Sequence, residues 1–279
     1  VQTSKLEAVI VSESNPLLLE GKKVLVTGAG GRIGSQIVAV MGREGATVAA
    51  LDLTQELADR GAGACPGKAI ALTADVTSAE DVDAAVETAE NELGPLDILV
   101  NSHGIFPTVT LLDLTPEKWD TIFAVNVRGN MLMSQAVARR WIKRHSPGSI
   151  VNISSGAATS ARAGGAAYCG SKAALNMMTK ALAIELGQHD IRVNAVSPGL
   201  ILDSVLTREA ATREATEAEP YFRAMLDAIP LGRTGHPREI AETVAFVSSD
   251  RSIWTTGAVF EVTGGSQAGR AHMPVARSS

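Results

Sequence analysis

Cysteine is nearly absent from this chain: of its 279 residues, only Cys65 and Cys169 carry thiols. Neither has the paired spacing of a metal site, so no metal is expected. Two thiols fit a reducing compartment, and hence the cytoplasm, better than a disulfide framework. Cys169 follows Tyr168 and is expected to fill a small space on a helix face rather than act as a nucleophile. Long apolar runs are missing as well. No stretch approaches the roughly 18–20 apolar residues of a membrane span. The N-terminal region has neither the basic start nor the continuous apolar core of a secretory signal. Positive charge is not in excess: 25 Lys and Arg stand against 30 Asp and Glu, a net −5, which gives no electrostatic footprint for nucleic acid. The cluster Arg139, Arg140, Lys143 and Arg144 therefore reads as a solvated helix face. Aromatics are scarce, at 4%, and there is no internal repeat or low-complexity tract. What remains, 45% hydrophobic, is enough to bury a full core without metal or disulfide.

That hydrophobic content is distributed as short apolar strands separated by segments of helical period. The strands are expected near 24–27, 47–51, 69–74, 97–101, 149–154, 191–197 and 258–262. Unbroken alternation of this kind implies one α/β domain, a doubly wound sheet of about seven parallel strands with helices on both faces and right-handed crossovers. Residues 1–19 form an extension, 20–266 the domain and 267–279 a tail. The charged stretch from 200 to 229 breaks the rhythm just after the sixth strand. It is expected to form two short helices at the carboxyl edge of the sheet, where open α/β folds bind ligands, and to act as a substrate lid.

The first strand runs into Gly28-Ala29-Gly30-Gly31-Arg32-Ile33-Gly34, followed by an amphipathic helix from Ser35 to about Arg43. Strand, glycine turn and helix together form the setting of a dinucleotide site. The glycines permit positive φ and close backbone approach, and the helix N-terminus offers N–H groups to a pyrophosphate. The second strand ends in Asp52, whose carboxylate suits the ribose hydroxyls of NAD and would repel the 2′-phosphate of NADP.

Tyr168 and Lys172 are four residues apart, which on a helix places both on one face. A free phenol has a pKa of about 10, and a nearby cation commonly lowers an acid's pKa by roughly 1–3. The Lys172 ammonium is thus expected to bring Tyr168 within reach of proton transfer near neutral pH. Ser155, at the end of the fifth strand, offers a hydroxyl to orient a substrate oxygen.

With these pieces in order, the chain resembles the short-chain dehydrogenase/reductase family, in its compact single-domain branch, from about Leu19 to Gly265. Thr27 to Gly34 answers to the family's T-G-x-x-x-G-x-G, and Asp75-Val76 to the pair bordering adenine. Asn101-Ser102-His103-Gly104 stands for N-N-A-G, and Asn126 for the asparagine of the long fourth helix. Arg192 to Gly199 and Thr256 to Gly265 complete the series. The resemblance implies a Rossmann-like fold, a homotetramer and a catalytic set of Asn126, Ser155, Tyr168 and Lys172. It implies cofactor contacts from Gly28, Gly31, Arg32, Ile33, Gly34, Asp52, Leu53, Asp75, Val76, Asn101, Gly104, Tyr168, Lys172, Pro198, Gly199 and Ile201. The implied reaction is hydride transfer between NAD(H), preferred over NADP(H), and a secondary alcohol or ketone. Tyr168 exchanges the proton, Lys172 grips the nicotinamide ribose, and Asn126 positions a water that links Lys172 to solvent. The alternatives are a non-redox enzyme of epimerase or dehydratase type, or a cofactor-binding regulator.

Three departures from the family pattern stand out. Arg32 occupies the position of the middle glycine and is read either as solvent-facing on the first helical turn or as a cation beside phosphate or ribose. His103 replaces a small residue and is expected to be packed and hydrogen-bonded in the cleft wall, with direct cofactor or substrate contact as the alternative. Asp203 stands where a threonine is usual, with Ser204 as a substitute after a small shift. Substrate contacts are assigned to His103, Phe106, Arg162, Tyr221 and Phe222. For Arg162 a surface salt bridge is expected before a substrate carboxylate.

Overall fold

The structure is a computed structural model that describes residues 17–203 and 219–269, with the backbone alone described for 219–222. Ser204, the side chains of Tyr221 and Phe222, and most of the expected lid lie outside the described residues, as do 1–16 and 270–279.

Seven strands form one parallel sheet: β1 (Lys23–Thr27), β2 (Thr47–Asp52), β3 (Ala69–Thr73), β4 (Ile98–Asn101), β5 (Gly148–Ile153), β6 (Ile191–Pro198) and β7 (Val259–Val262). They run in the order β3-β2-β1-β4-β5-β6-β7. All seven expected strands are present. The inner strands are short and apolar because both their faces are buried, whereas the edge strands β3 and β7 are only partly covered. Side chains alternate between two cores: Val24 and Val26 of β1 and Val151 and Ile153 of β5 face one, Leu25 and Ile150 the other. The strand order reverses between β1 and β4, which opens a crevice at their carboxyl ends.

The helices are α1 (Arg32–Arg43), α2 (Gln55–Gly63), α3 (Ala79–Leu93), α4 (Pro116–Phe123), α5 (Asn130–Lys143), α6 (Ala166–Leu186), α7 (Glu219–Asp227) and α8 (Pro237–Ser248). Ile37, Val38 and Met41 of α1 and Ile240, Val244 and Val247 of α8 fill the first core. Val82 and Val86 of α3 and Met133, Val137 and Trp141 of α5 fill the second. Trp141 lies over Gly148, where a Cβ would overlap its ring, and its indole N–H donates to Leu96 O at 2.6 Å. Among the described residues, four of the eight helix starts carry a side-chain cap. Thr54, Ser78 and Thr115 accept backbone N–H groups at the starts of α2, α3 and α4, and His236 with Glu239 forms a capping box on α8.

Several expectations change. α1 begins at Arg32, not Ser35, because Gly31 is the extended N-cap residue and Ser35 N already closes the first turn on Gly31 O. Leu19, assigned to the extension, is fully buried in the first core. Arg140 and Arg144 are not a solvated face. Arg140 pairs with Asp83 and Glu90, and Arg144 with Glu90, which fastens α5 to α3. Arg192 points its guanidinium at the carboxyl end of α8, donating to Val247 O, Ser248 O and Ser249 O and so satisfying carbonyls that the helix leaves without partners.

Candidate active site

The crevice between β1 and β4 is floored by the glycine turn. Gly28 has φ +62°, and a Cβ there would sit 2.7 Å from the His103 Cα. A Cβ on Gly34 would overlap Gly28 O. The N-cap of α1, Gly31, provides no side-chain hydrogen bond, and the first turn holds no acidic residue. At the end of the glycine turn, α1 therefore presents its first N–H groups and positive dipole end without a side-chain cap, which suits a pyrophosphate. Gly30 N donates to Asp52 Oδ2 at 2.9 Å and Leu53 N to Oδ1 at 2.7 Å. Two backbone amides thus fix the carboxylate at the lip of the turn. The residues fit a dinucleotide.

Arg32, the first residue of α1, neither swings free nor points into the turn. Its Nη1 donates to Ile201 O at 3.2 Å, and its Nε lies 3.3 Å from Asp203 Oδ1. Two departures from the family pattern are thus each other's partner. Ile201 bridges to Gly235, and Gly199 N donates to Val262 O, so the segment after Pro198 is pinned at the sheet edge. A Cβ on Gly199 would press the Thr263 Cα at 2.8 Å. Ile33 packs against the first core, while Leu53 stands exposed beyond Asp52. Asp75 Oδ1 accepts from Thr77 N and Thr77 Oγ1, and Val76 is buried against Gly129.

His103 is buried. Its Nδ1 lies 2.6 Å from Thr27 Oγ1, and its Nε2 lies 3.1 Å from Asn130 Nδ2. Because Asn130 donates, Nε2 accepts, so the network assigns the proton to Nδ1. Burial first, and the Lys172 charge second, lower its pKa to about 3, so the ring is neutral. It joins β1 to α5 as a packed, hydrogen-bonded wall and is 8% exposed. Asn101 is likewise turned inward: its amide donates to Ser134 and Asn152, so the side chain does not reach the cofactor crevice.

Asn126 lies in a π-helical segment, Ala124–Gly129, between α4 and α5, a local widening common at functional sites. Its side-chain amide is taken up by protein partners. Oδ1 accepts from Ile105 N, and Nδ2 donates to Ile105 O and Ser171 Oγ. The side chain ties the loop after β4 to α6. A Cβ on Gly104 would come within 3.3 Å of Asn126 Oδ1 and 3.4 Å of Lys172 Nζ, which places this glycine between the two side chains. Thr27, Asn130 and Ser171 are parts of the site that sequence reading missed. The four-residue spacing of Asn126, Asn130 and Ser134 was the one available signal.

Ser155, Tyr168 and Lys172 converge past the end of β5. Ser155 Oγ accepts from Ala157 N, and its hydrogen bond to Tyr168 works to lower the phenol pKa. Burial nevertheless dominates, and the Tyr168 pKa is raised overall. The expected influence of Lys172 is absent. The cation opposing burial is Arg162, whose guanidinium carbon lies 5.4 Å from the Tyr168 ring centroid. Lys172 Nζ instead donates to Ile153 O at 2.8 Å, and burial lowers its pKa from 10.5 to about 8. Arg162 makes no salt bridge among the described residues, contrary to expectation. Phe106 meets Tyr168 edge-on at 6.4 Å between centroids.

Known proteins match this chain along most of its length. The family model described as enoyl-(acyl carrier protein) reductase matches residues 28–267. L-xylulose reductase of Bos taurus is 40% identical over 249 residues, 89% of this chain and 98% of that one. 2-(S)-hydroxypropyl-CoM dehydrogenase 3 of Xanthobacter autotrophicus is 39% identical over 251 residues, 88% and 97% of the two chains. The crystal structure of a short-chain type dehydrogenase/reductase from Mycobacterium marinum superposes with a TM-score of 0.79 at 33% identity, covering 90% of this chain and 97% of that one. Matched along nearly its whole length in sequence and in fold, the chain belongs to the short-chain dehydrogenase/reductase family, oxidoreductases that move a hydride between a nicotinamide cofactor and a secondary alcohol or ketone.

Proposed function

We propose that the protein is an NAD-dependent secondary-alcohol dehydrogenase or ketoreductase in which Tyr168 is the acid–base group. The observation that carries this reading is the hydrogen bond between Ser155 and the half-buried Tyr168 phenol, with Lys172 one helical turn on and its ammonium held at Ile153 O, at the same end of β5 as Ser155. Bound nicotinamide supplies or accepts the hydride. Tyr168 gives the proton to the substrate oxygen in reduction and takes it in oxidation, while Ser155 holds that oxygen. Lys172, with a pKa of about 8, is largely protonated at neutral pH and keeps donors beyond its Ile153 bond for the nicotinamide ribose. Asn126 positions the Gly104–Ile105 turn beside Lys172. Gly28, Gly31, Ile33 and Gly34 would cradle the pyrophosphate, with Leu53, Asp75 and Val76 near the adenine and Pro198, Gly199 and Ile201 at the nicotinamide end. Appearance of reduced nicotinamide absorbance with a secondary alcohol tests the reading. Turnover without any redox change in the cofactor would replace it with an epimerase- or dehydratase-type reaction.

NAD is the expected cofactor, through Asp52. Unit charges 4 Å apart at an effective dielectric of about 20 repel by about 4 kcal/mol, and tenfold discrimination needs only about 1.4 kcal/mol. Arg32, the one cation placed to soften the clash with a 2′-phosphate, is engaged by Asp203 and Ile201. The ratio of kcat/KM is expected to favour NAD by at least about tenfold. Equal values, or a preference for NADP, would assign the choice to Arg32.

A homotetramer built through α4 to α6 and the β7 region belongs to the same proposal. A groove of about 650 Å³ between α4 and α6 is lined by Thr121, Phe123, Val127, Met131 and Met178. Met177 and Ile184 of α6 are exposed, whereas Met133 and Ala136 face the sheet. A sedimentation mass of one chain at micromolar concentration would contradict it. Cytoplasmic location completes the reading and is supported by two unpaired thiols, Cys65 and Cys169.

A further inference from the structure

The loop that carries Arg162 is closed onto the catalytic tyrosine by specific contacts. Gly164 adopts φ +69°, and its carbonyl accepts from Val109 N at 2.9 Å, which clasps this loop to the one bearing Phe106. Gly165 N donates back to Arg162 O at 3.1 Å. A Cβ on Gly165 would stand 2.9 Å from the Arg162 Cγ, so the glycine makes room for the arginine stem. The result is a guanidinium 5.4 Å from the Tyr168 ring centroid, with Phe106 against the same ring.

Arg43, Arg140, Arg144 and Arg233 each meet a carboxylate. Arg162 meets none among the described residues, and its buried Nε has no hydrogen-bond partner. An arginine held at a reaction centre with no anion among the described residues is a receptor for an external one. Its planar fork matches a carboxylate, two N–H groups to two oxygens. A guanidinium beside the phenol, rather than far along the cleft, places that carboxylate only a few bonds from the carbon that Tyr168 serves. Phe106, 71% exposed, offers an apolar surface on the same ring for the remainder of a short substrate.

We propose that Arg162 recognises the carboxylate of the substrate and that the enzyme interconverts short hydroxy acids and oxo acids. This rests on the reading of Tyr168 as the acid–base group. The test uses α-, β- and γ-hydroxy acids, each beside its methyl ester, with the full-length parent enzyme and the Arg162→Gln and Arg162→Lys variants. For at least one acid, the parent is expected to show a kcat/KM about tenfold or more above that of its ester, the scale of one charge-assisted pair. Arg162→Gln removes the difference by raising KM for the acid and not for the ester, while a change in kcat transmitted through the Tyr168 phenol falls on acid and ester alike; Arg162→Lys restores part of the difference. A panel in which no acid outperforms its ester overturns the proposal. So does an Arg162→Gln variant that raises KM for acid and ester alike, because the guanidinium would then shape the loop rather than bind the carboxylate. The two readings fail separately: esters turned over in a Tyr168-dependent manner leave the catalytic assignment standing, whereas turnover that survives Tyr168→Phe removes the foundation itself.

Discussion

Lys172→Met is expected to unfold at a higher temperature than the parent while losing most turnover. Burial lowers the Lys172 pKa from 10.5 to about 8. Each pKa unit corresponds to about 1.4 kcal/mol, so the buried ammonium costs up to about 3 kcal/mol at neutral pH. Its bond to Ile153 O returns about 1 kcal/mol. Methionine has a similar shape and no charge to desolvate, so a net gain of about 1–2 kcal/mol follows, a rise of several degrees in Tm for a chain of this size. The sign follows from linkage. The folded-state pKa lies below the unfolded value, so the penalty is absent above pH 10.5, grows as the pH falls, and is complete below about 8. Thermal unfolding at neutral and alkaline pH checks this: the advantage of the variant should shrink as the pH approaches 10.5. A variant less stable than the parent at neutral pH would mean that the ammonium is a net structural element.

The seven strands were legible because a parallel sheet buried on both faces leaves short continuous apolar runs, and the glycine turn because its backbone approaches demand glycine. Side-chain direction was not legible. The spacing of Tyr168 and Lys172 placed them on one helix face, but it could not say that Nζ would reach Ile153 O instead of the phenol. Asn126 was legible as a residue, but the π-helical segment that turns its amide onto Ile105 was not, because it depends on His103 and Asn130 packed behind it. Arg162 looked like a surface cation. The contact that brings it over Tyr168 comes from the turn at Gly164 and the clasp with Val109, which no local pattern announces. Arg32 and Asp203 were each seen as an anomaly, and only the fold pairs them across 171 residues.

Tyr168→Phe is expected to lower kcat by about 10²–10⁴, the range that general acid–base catalysis supplies. The ring remains, so Phe106 keeps its edge contact and Arg162 its aromatic face, while the hydroxyl that bonds Ser155 is gone. Burying phenylalanine where a tyrosine had its pKa raised by desolvation costs no charge, and the fold should be unchanged. Cofactor binding, proposed above to draw on Gly28 to Gly34 and Asp52, should be retained. A single-turnover experiment with enzyme in excess over substrate, beside a fluorescence titration of the cofactor, separates binding from chemistry. The account predicts unchanged cofactor affinity with hydride transfer slowed by at least about a hundredfold. A rate within about threefold of the parent, a difference of less than about 1 kcal/mol, would contradict the assignment of proton transfer to Tyr168.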